Sequence, residues 1–151
     1  MLLEVVAGLA AANVVEWVVH KYVLHDMGKK KGSFWSYHWH EHHRNSRKHD
    51  FYDDSYNQGF FSGSRLKENV GIFGLALIQT PLIFIAPWYV VTTWAYAVAY
   101  LWAHRKSHLD VEWGKKWLPW HYDHHMGKDQ DQNWCVLFPW MDWVMRTRKK
   151  G

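Results

Sequence analysis

Histidine carries the chemistry this chain offers. Eleven of its 12 histidines fall in four short windows: His20-Lys-Tyr-Val-Leu-His25, His38-Trp-His40-Glu-His42-His43, His104-Arg-Lys-Ser-His108 and His121-Tyr-Asp-His124-His125. Neutral imidazole ligates iron, zinc, copper and nickel, so clusters at helical spacing point to a metal centre. On an α-helix, at about 100° per residue, positions i and i+4 lie about 40° apart, i and i+3 about 60°, and i and i+5 about 140°. His104 and His108 therefore share a face, as do His121, His124 and His125. His38 and His42 form a good i,i+4 pair, whereas His40 and His42 point to nearly opposite sides. That favours His38 over His40 as a ligand and keeps His40 as the alternative. His20 and His25 diverge on a straight helix, and suit either two different metals or a helix that ends between them. His49, in Arg-Lys-His-Asp, reads as a solvated bystander.

A set of up to ten imidazoles is too large for one tetrahedral zinc and matches two metals with five nitrogen ligands each. The single cysteine, Cys135, excludes a disulfide framework and the cysteine-rich zinc modules. Asp26, Glu41, Asp110 and Asp123 lie in or beside the windows and are candidate acceptors for the outer ring nitrogens, fixing the tautomer of each ligand.

These windows must be positioned by elements that the hydropathy pattern reveals. From Val70 to Ala103 run 34 residues without one Asp, Glu, Lys, Arg or His. As one helix this stretch would be about 50 Å long, against a hydrocarbon core of about 30 Å. Pro81 and Pro87 interrupt it, so two helices over 70–86 and 88–103 are expected, joined at Ala86-Pro87-Trp88. They either cross a bilayer or form a hairpin that dips into one leaflet. A second apolar run, Leu2 to Val19, is broken only by Glu4, Asn13 and Glu16, and no Lys or Arg precedes Lys21; it reads as a retained membrane helix rather than a signal peptide. The mean hydropathy of −0.40 averages these segments with very polar ones.

All 18 Lys and Arg lie in 20–69 and 104–151. Three crossings put both blocks, and all four windows, on one side of the membrane, and the positive-inside rule makes that side cytoplasmic. Trp17, Trp35, Trp39, Trp88, Trp102, Trp113, Trp117 and Trp120 sit near the segment ends, as an interfacial belt would. The stretch 109–120 is suited to lie flat on the surface. Topology thus explains the net charge of +4 better than nucleic-acid binding does. With no repeat, low-complexity tract or linker, residues 1–151 read as one unit. The expected fold is all-α, an integral membrane bundle of about three segments under a cytosolic di-metal cap.

The order H-x4-H, H-x3-H-H, H-x3-H, H-x2-H-H around short apolar segments resembles the membrane-bound fatty acid hydroxylase superfamily, which includes sterol desaturases, fatty acid hydroxylases and carotenoid hydroxylases. Glu16-Trp17-Val18-Val19-His20 through His25 looks like the first motif of bacterial carotenoid hydroxylases, and Trp39-His40-Glu41-His42-His43-Arg44 like the second. The tail from His124-His125 through Asn133-Trp134 to Phe138-Pro139-Trp140-Met141-Asp142-Trp143 resembles that of the superfamily. The second window has H-x3-H-H where many members have H-x2-H-H, and the third is shorter than in carotenoid hydroxylases. The resemblance implies ligands at His20, His25, His38, His42, His43, His104, His108, His121, His124 and His125. It further implies two iron ions, which zinc can replace during purification, with O2 as co-substrate and electrons from a redox protein. The expected activity is hydroxylation or desaturation of a lipid C–H bond in a fatty acyl chain, a sterol or a carotenoid. The alternative is a non-catalytic membrane metal-binding or scaffold protein that keeps the histidines. With three apolar segments where larger members have four or more, a homo-oligomeric partner is also expected.

Overall fold

The computed structural model describes residues 1–150, Ser64 through its backbone only. Among them every regular element is helical, in line with the all-α expectation. Leu2–Val18 forms α1, which continues as a π-helical stretch over Val19–Met27. Together, Leu2–Met27 is the one helix among the described residues long and apolar enough to cross a membrane. A second π-helical stretch, His38–His43, leads into the short α2 (Arg44–Lys48).

The charge-free run is divided differently from the expected 70–86 and 88–103. Helix α3 starts earlier, covers Gly63–Gln79, and tightens into a 3₁₀ turn over Thr80–Phe84. The break falls at Pro81, because proline has no N–H to donate and its ring clashes with the carbonyl four residues back. Pro87 occupies the first turn of α4, where its fixed φ suits a helix start. Helix α4 then runs through Pro87–Leu109, past the last apolar residue, and so carries His104 and His108 on the same rod as the apolar segment.

Both α1 and α3 pack on α4 and scarcely touch each other. The α1–α4 approach is close at Gly8, where a Cβ would come within 2.9 Å of Thr92 Cβ and 3.1 Å of the Tyr89 carbonyl oxygen. Helices α5 (Val111–Trp117) and α6 (Pro119–Met126) fold back over the polar end of α4, and an irregular tail leads to α7 (Trp140–Val144).

That tail explains the polar interruptions of α1. The Asn13 amide donates to the Tyr96 hydroxyl (3.0 Å) and the Phe138 carbonyl (2.8 Å), while its oxygen accepts from Met141 N (3.0 Å). Glu16 accepts from Val136 N (2.6 Å) and from the Tyr96 hydroxyl. Asp142, fully buried, accepts from Trp134 N and Cys135 N at 2.9 Å each, and from the Thr147 hydroxyl at 2.7 Å. Buried polar groups need such partners. Asn13 and Glu16 therefore face the tail and hold it beneath the histidines.

Candidate metal centre

The polar end of the bundle has a core of imidazole. All ten expected ligands are at most 5% exposed. His20, His25, His38, His43 and His124 converge in one group, and His42, His104, His108 and His125 in a second; within each group the facing ligand atoms lie within 4.8 Å of one another. His121 stands beside the second group, its Nε2 3.0 Å from His108 Nε2 and its ring centroid 4.7 Å from that of His125. The two outside histidines differ: His40 faces the Lys29 carbonyl at 3.1 Å, and His49 is exposed.

The π-helical turns are what bring the first group together. In a π-helix the hydrogen bond runs from i to i+5, so residues five apart return to nearly the same face. His20 and His25 lie in one such stretch and His38 and His43 in the other. The α-helical reading therefore mispairs two windows. His20 and His25 do not diverge, and His38 joins His43 in the first group while His42 enters the second. Both His-His dipeptides straddle the groups in this way, His43 and His124 in one and His42 and His125 in the other. His43 and His125 stack across the boundary with centroids 4.2 Å apart.

The outer nitrogens fix which way the lone pairs point. A backbone carbonyl can only accept, so His20 Nδ1 on Trp134 O (2.5 Å), His108 Nδ1 on Phe51 O (2.8 Å) and His124 Nδ1 on Gln132 O (2.6 Å) must each carry the proton. Carboxylates do the same for His25 (Asp131, 3.2 Å), His42 (Asp53, 2.9 Å) and His104 (Glu68, 2.6 Å). In all six rings Nε2 is left with a lone pair aimed inward. In the second group His42 Nε2, His104 Nε2 and both ring nitrogens of His125 have no protein partner. In the first, His43 Nε2 lies 3.1–3.2 Å from the Nε2 atoms of His25, His38 and His124, more neighbours than one proton can serve. Orphaned and mutually facing lone pairs are tenable in a buried core when cations sit between them.

The spacing is also informative about coordination. Two nitrogens, each about 2.1 Å from one metal, lie about 3.0 Å apart at 90° and about 3.4 Å apart at the tetrahedral angle. Four of the Nε2···Nε2 edges in the first group are 3.0–3.2 Å, a separation compatible with nitrogens that share one ion. The residues present thus fit two metal ions with imidazole donors.

The carboxylates that orient these rings are not the expected ones. Asp26 and Glu41 are exposed, Asp110 caps α5 at Trp113 N (3.1 Å) and pairs with Lys106, and Asp123 pairs with Arg148 (3.1 Å). A residue next to a ligand on a helix projects about 100° away from it, which carries its carboxylate off the ring. Asp53, Glu68 and Asp131 come instead from other elements. Burial pushes Asp53 and Glu68 up, but contact with His42 and His104 respectively more than offsets this and holds both carboxyls below their usual values. Phe51 is a further participant. It adopts a left-handed backbone (φ 77°) with a fully buried ring, and its carbonyl receives His108. Such backbone strain persists where the surroundings impose it.

Two consequences are measurable. Asp53→Asn and Glu68→Gln should each weaken metal binding at the second group by about 10–100-fold and leave the first unchanged, as read by chelator competition at both sites. The second concerns pH. Burial, reinforced by neighbouring imidazoles, pushes His38, His43, His108, His121, His124 and His125 far below the usual imidazole range. The unfolded chain then binds more protons than the folded one below pH about 6.5, so stability rises with pH through that value. Each such ring contributes up to about 1.4 kcal/mol per pH unit below it. Metal-stripped protein should therefore melt at steeply lower temperature from pH 7 to pH 5, in thermal scans at fixed salt.

A cavity of about 410 Å³ leads to this centre from the apolar side, between α1 and α3 and floored by α4. Its wall is mostly apolar, and its polar end is formed by His20, His38 and Glu68. Neither a curated protein nor a solved structure matches the chain. The family model described as fatty acid hydroxylase does match, over residues 5–147, a span that takes in all four histidine windows and the tail under them. The chain belongs to the fatty acid hydroxylase family.

Proposed function

We propose that the chain is a membrane-bound di-iron enzyme that uses O2 to hydroxylate or desaturate a lipid C–H bond. The observation that carries this reading is the continuity between an apolar cavity and the first histidine group, whose His20 and His38 line it, with Glu68, the partner of His104 in the second group, on the same wall. Iron bound there would supply the activation of O2 that an unreactive C–H bond requires. The chain's own residues do the rest. Asp53, Glu68, Asp131 and three backbone carbonyls fix the ring tautomers and keep the inner nitrogens aimed inward. Aliphatic side chains of α1 and α3 exclude water and align an alkyl chain along the helices.

The apolar legs support a membrane setting with three crossings. Three of them, α1 back from Lys21, α3 with its 3₁₀ extension onward from Glu68, and α4 back from Arg105, are each about 27 Å long at about 1.5 Å per α and 2.0 Å per 3₁₀ residue. A hydrocarbon core is about 30 Å thick. At their far end Phe84 and Ile85 are 91% and 79% exposed, as lipid-facing residues would be. The Lys and Arg distribution puts the histidine end in the cytoplasm, where a soluble or membrane-bound redox protein delivers electrons.

Iron-loaded protein in lipid nanodiscs, given a chemical reductant and a lipid extract, is expected to consume O2 and to yield products heavier by one oxygen or lighter by two hydrogens. Stoichiometric iron without lipid-dependent O2 uptake would instead assign the chain to a non-catalytic metal-binding role.

A further inference from the structure

Two tyrosines at the metal end of the cavity are not accounted for by folding. Tyr37 and Tyr100 are 4% and 8% exposed and both line the cavity; neither hydroxyl hydrogen-bonds another described residue, and neither is sealed off, so both oxygens are open to the cavity. The other oxygen-bearing side chains of the same wall are engaged. Thr93 donates to Val90 O (3.0 Å), Tyr96 to Glu16, and Gln79 Oε1 receives Tyr89 from outside the wall (2.6 Å), while Glu68 receives His104 and Tyr56. A hydroxyl open to an apolar cavity and unpaired within the protein is free to donate to a polar group that enters the cavity. Their placement is specific. Tyr37 directly precedes His38 of the first histidine group, and Tyr100 lies one helical turn before His104 of the second, ring centroids 5.4 Å apart.

We infer that Tyr37 and Tyr100 form a polar subsite that takes a neutral oxygen function of the lipid, an alcohol or a carbonyl, so that the molecule enters oxygen-first and its reacting C–H bond lies within a few bonds of that oxygen. Two O–H donors suit an oxygen acceptor, and an aliphatic end would leave both unpaired. The apolar wall disfavours a free fatty acid, whose carboxylate would give up its water for a pocket that offers two neutral donors. The alkyl chain then extends between α1 and α3 towards Gln79. This inference rests on the proposed lipid-oxidising function, yet it is tested by binding and does not depend on turnover.

The experiment measures equilibrium binding of radiolabelled hexadecan-1-ol, methyl hexadecanoate, hexadecane and hexadecanoate to the metal-loaded protein at pH 8. The alcohol and the ester should bind at least tenfold tighter than the alkane or the carboxylate. Tyr37→Phe and Tyr100→Phe should each reduce the alcohol's advantage by about fivefold, the worth of one hydrogen bond. The double variant should abolish it with alkane affinity and metal content unchanged, which separates a lost subsite from a misfolded protein. Equal affinity of the wild type for alcohol and alkane would overturn the subsite, as would an advantage that survives the double variant. Equal binding of hexadecanoate and the alcohol would overturn the neutral-oxygen assignment. If the alcohol binds selectively but no lipid supports O2 uptake, the subsite stands and the enzymatic reading fails. Equal turnover of alkane and alcohol overturns the subsite while that reading stands.

Discussion

If the proposed di-metal function holds, replacing His124 by alanine is expected to leave one metal ion in place of two, with no measurable lipid oxidation; His104→Ala should do the same at the other site, and the double variant should hold none. The assignment follows from geometry. His124 belongs to the group of five around His43, whereas His104 is one of the four around His42 and His125. Each ring is at most 1% exposed, with its outer nitrogen bonded and its lone pair directed into its own group. Its loss removes a donor that no mobile side chain can replace. Each variant also removes the imidazole donor of an acceptor, leaving Gln132 O unpaired in one case and Glu68 with Tyr56 alone in the other, so the groups that orient the remaining ligands are loosened as well. Metal bound only by the folded state stabilises it by mass action, so both variants should lose most of the rise in melting temperature that metal gives the wild type. Metal analysis with thermal scans, with and without added iron, reads all of this. Full metal content and full turnover in the double variant would sink the di-metal assignment.

Much of this centre was visible in the linear order of residues, and the remainder was hidden for definable reasons. Four windows, two of them directly abutting apolar segments, place ten imidazoles at one end of a helical bundle, because an uncharged run cannot share their environment. How the ten divide was hidden, because it depends on π-helical turns. Val19–Met27 and His38–His43 carry no proline or glycine to announce them, and an α-helical wheel sends His20 and His25 apart. The orienting carboxylates were hidden because they are remote: Asp131 meets His25 across 106 residues and Glu68 meets His104 across 36. Nearness in sequence pointed instead to Asp26 and Glu41, which helical geometry turns to solvent. One signal was available. Glu68 is the last charged residue before the uncharged run, where a carboxylate at the mouth of an apolar cavity is expected to have a partner. The early end of α3 was likewise readable, since Pro81 and Pro87 offered two breaks and both are used. The tyrosine subsite was not, because free hydroxyls are defined only by what fails to reach them.

Gly74→Phe should separate the path of the substrate from the stability of the fold. Gly74 lies on α3 and lines the cavity, and a Cβ built there meets nothing within 4 Å. It stands six residues beyond Glu68, about 9 Å down the cavity from the metal end at about 1.5 Å per residue. A phenylalanine ring there fills the middle of the space without touching a ligand or a ligand's partner. Replacing a helix-interior glycine by phenylalanine gains about 0.3–0.5 kcal/mol in helix propensity, and the ring gains apolar contact, so the variant should melt no lower than the wild type. Its metal content should be unchanged. Turnover of long-chain lipids should nevertheless fall by at least about a hundredfold, because a chain that cannot extend past residue 74 cannot bring its reacting carbon to the histidines. Substrates of about eight carbons, which end above the ring, should retain most of their rate. A destabilising mutation lowers every activity together with the melting temperature, whereas a blocked channel lowers only the long-chain one. If the chain-length profile of Gly74→Phe matches that of the wild type, the substrate reaches the metals by another route.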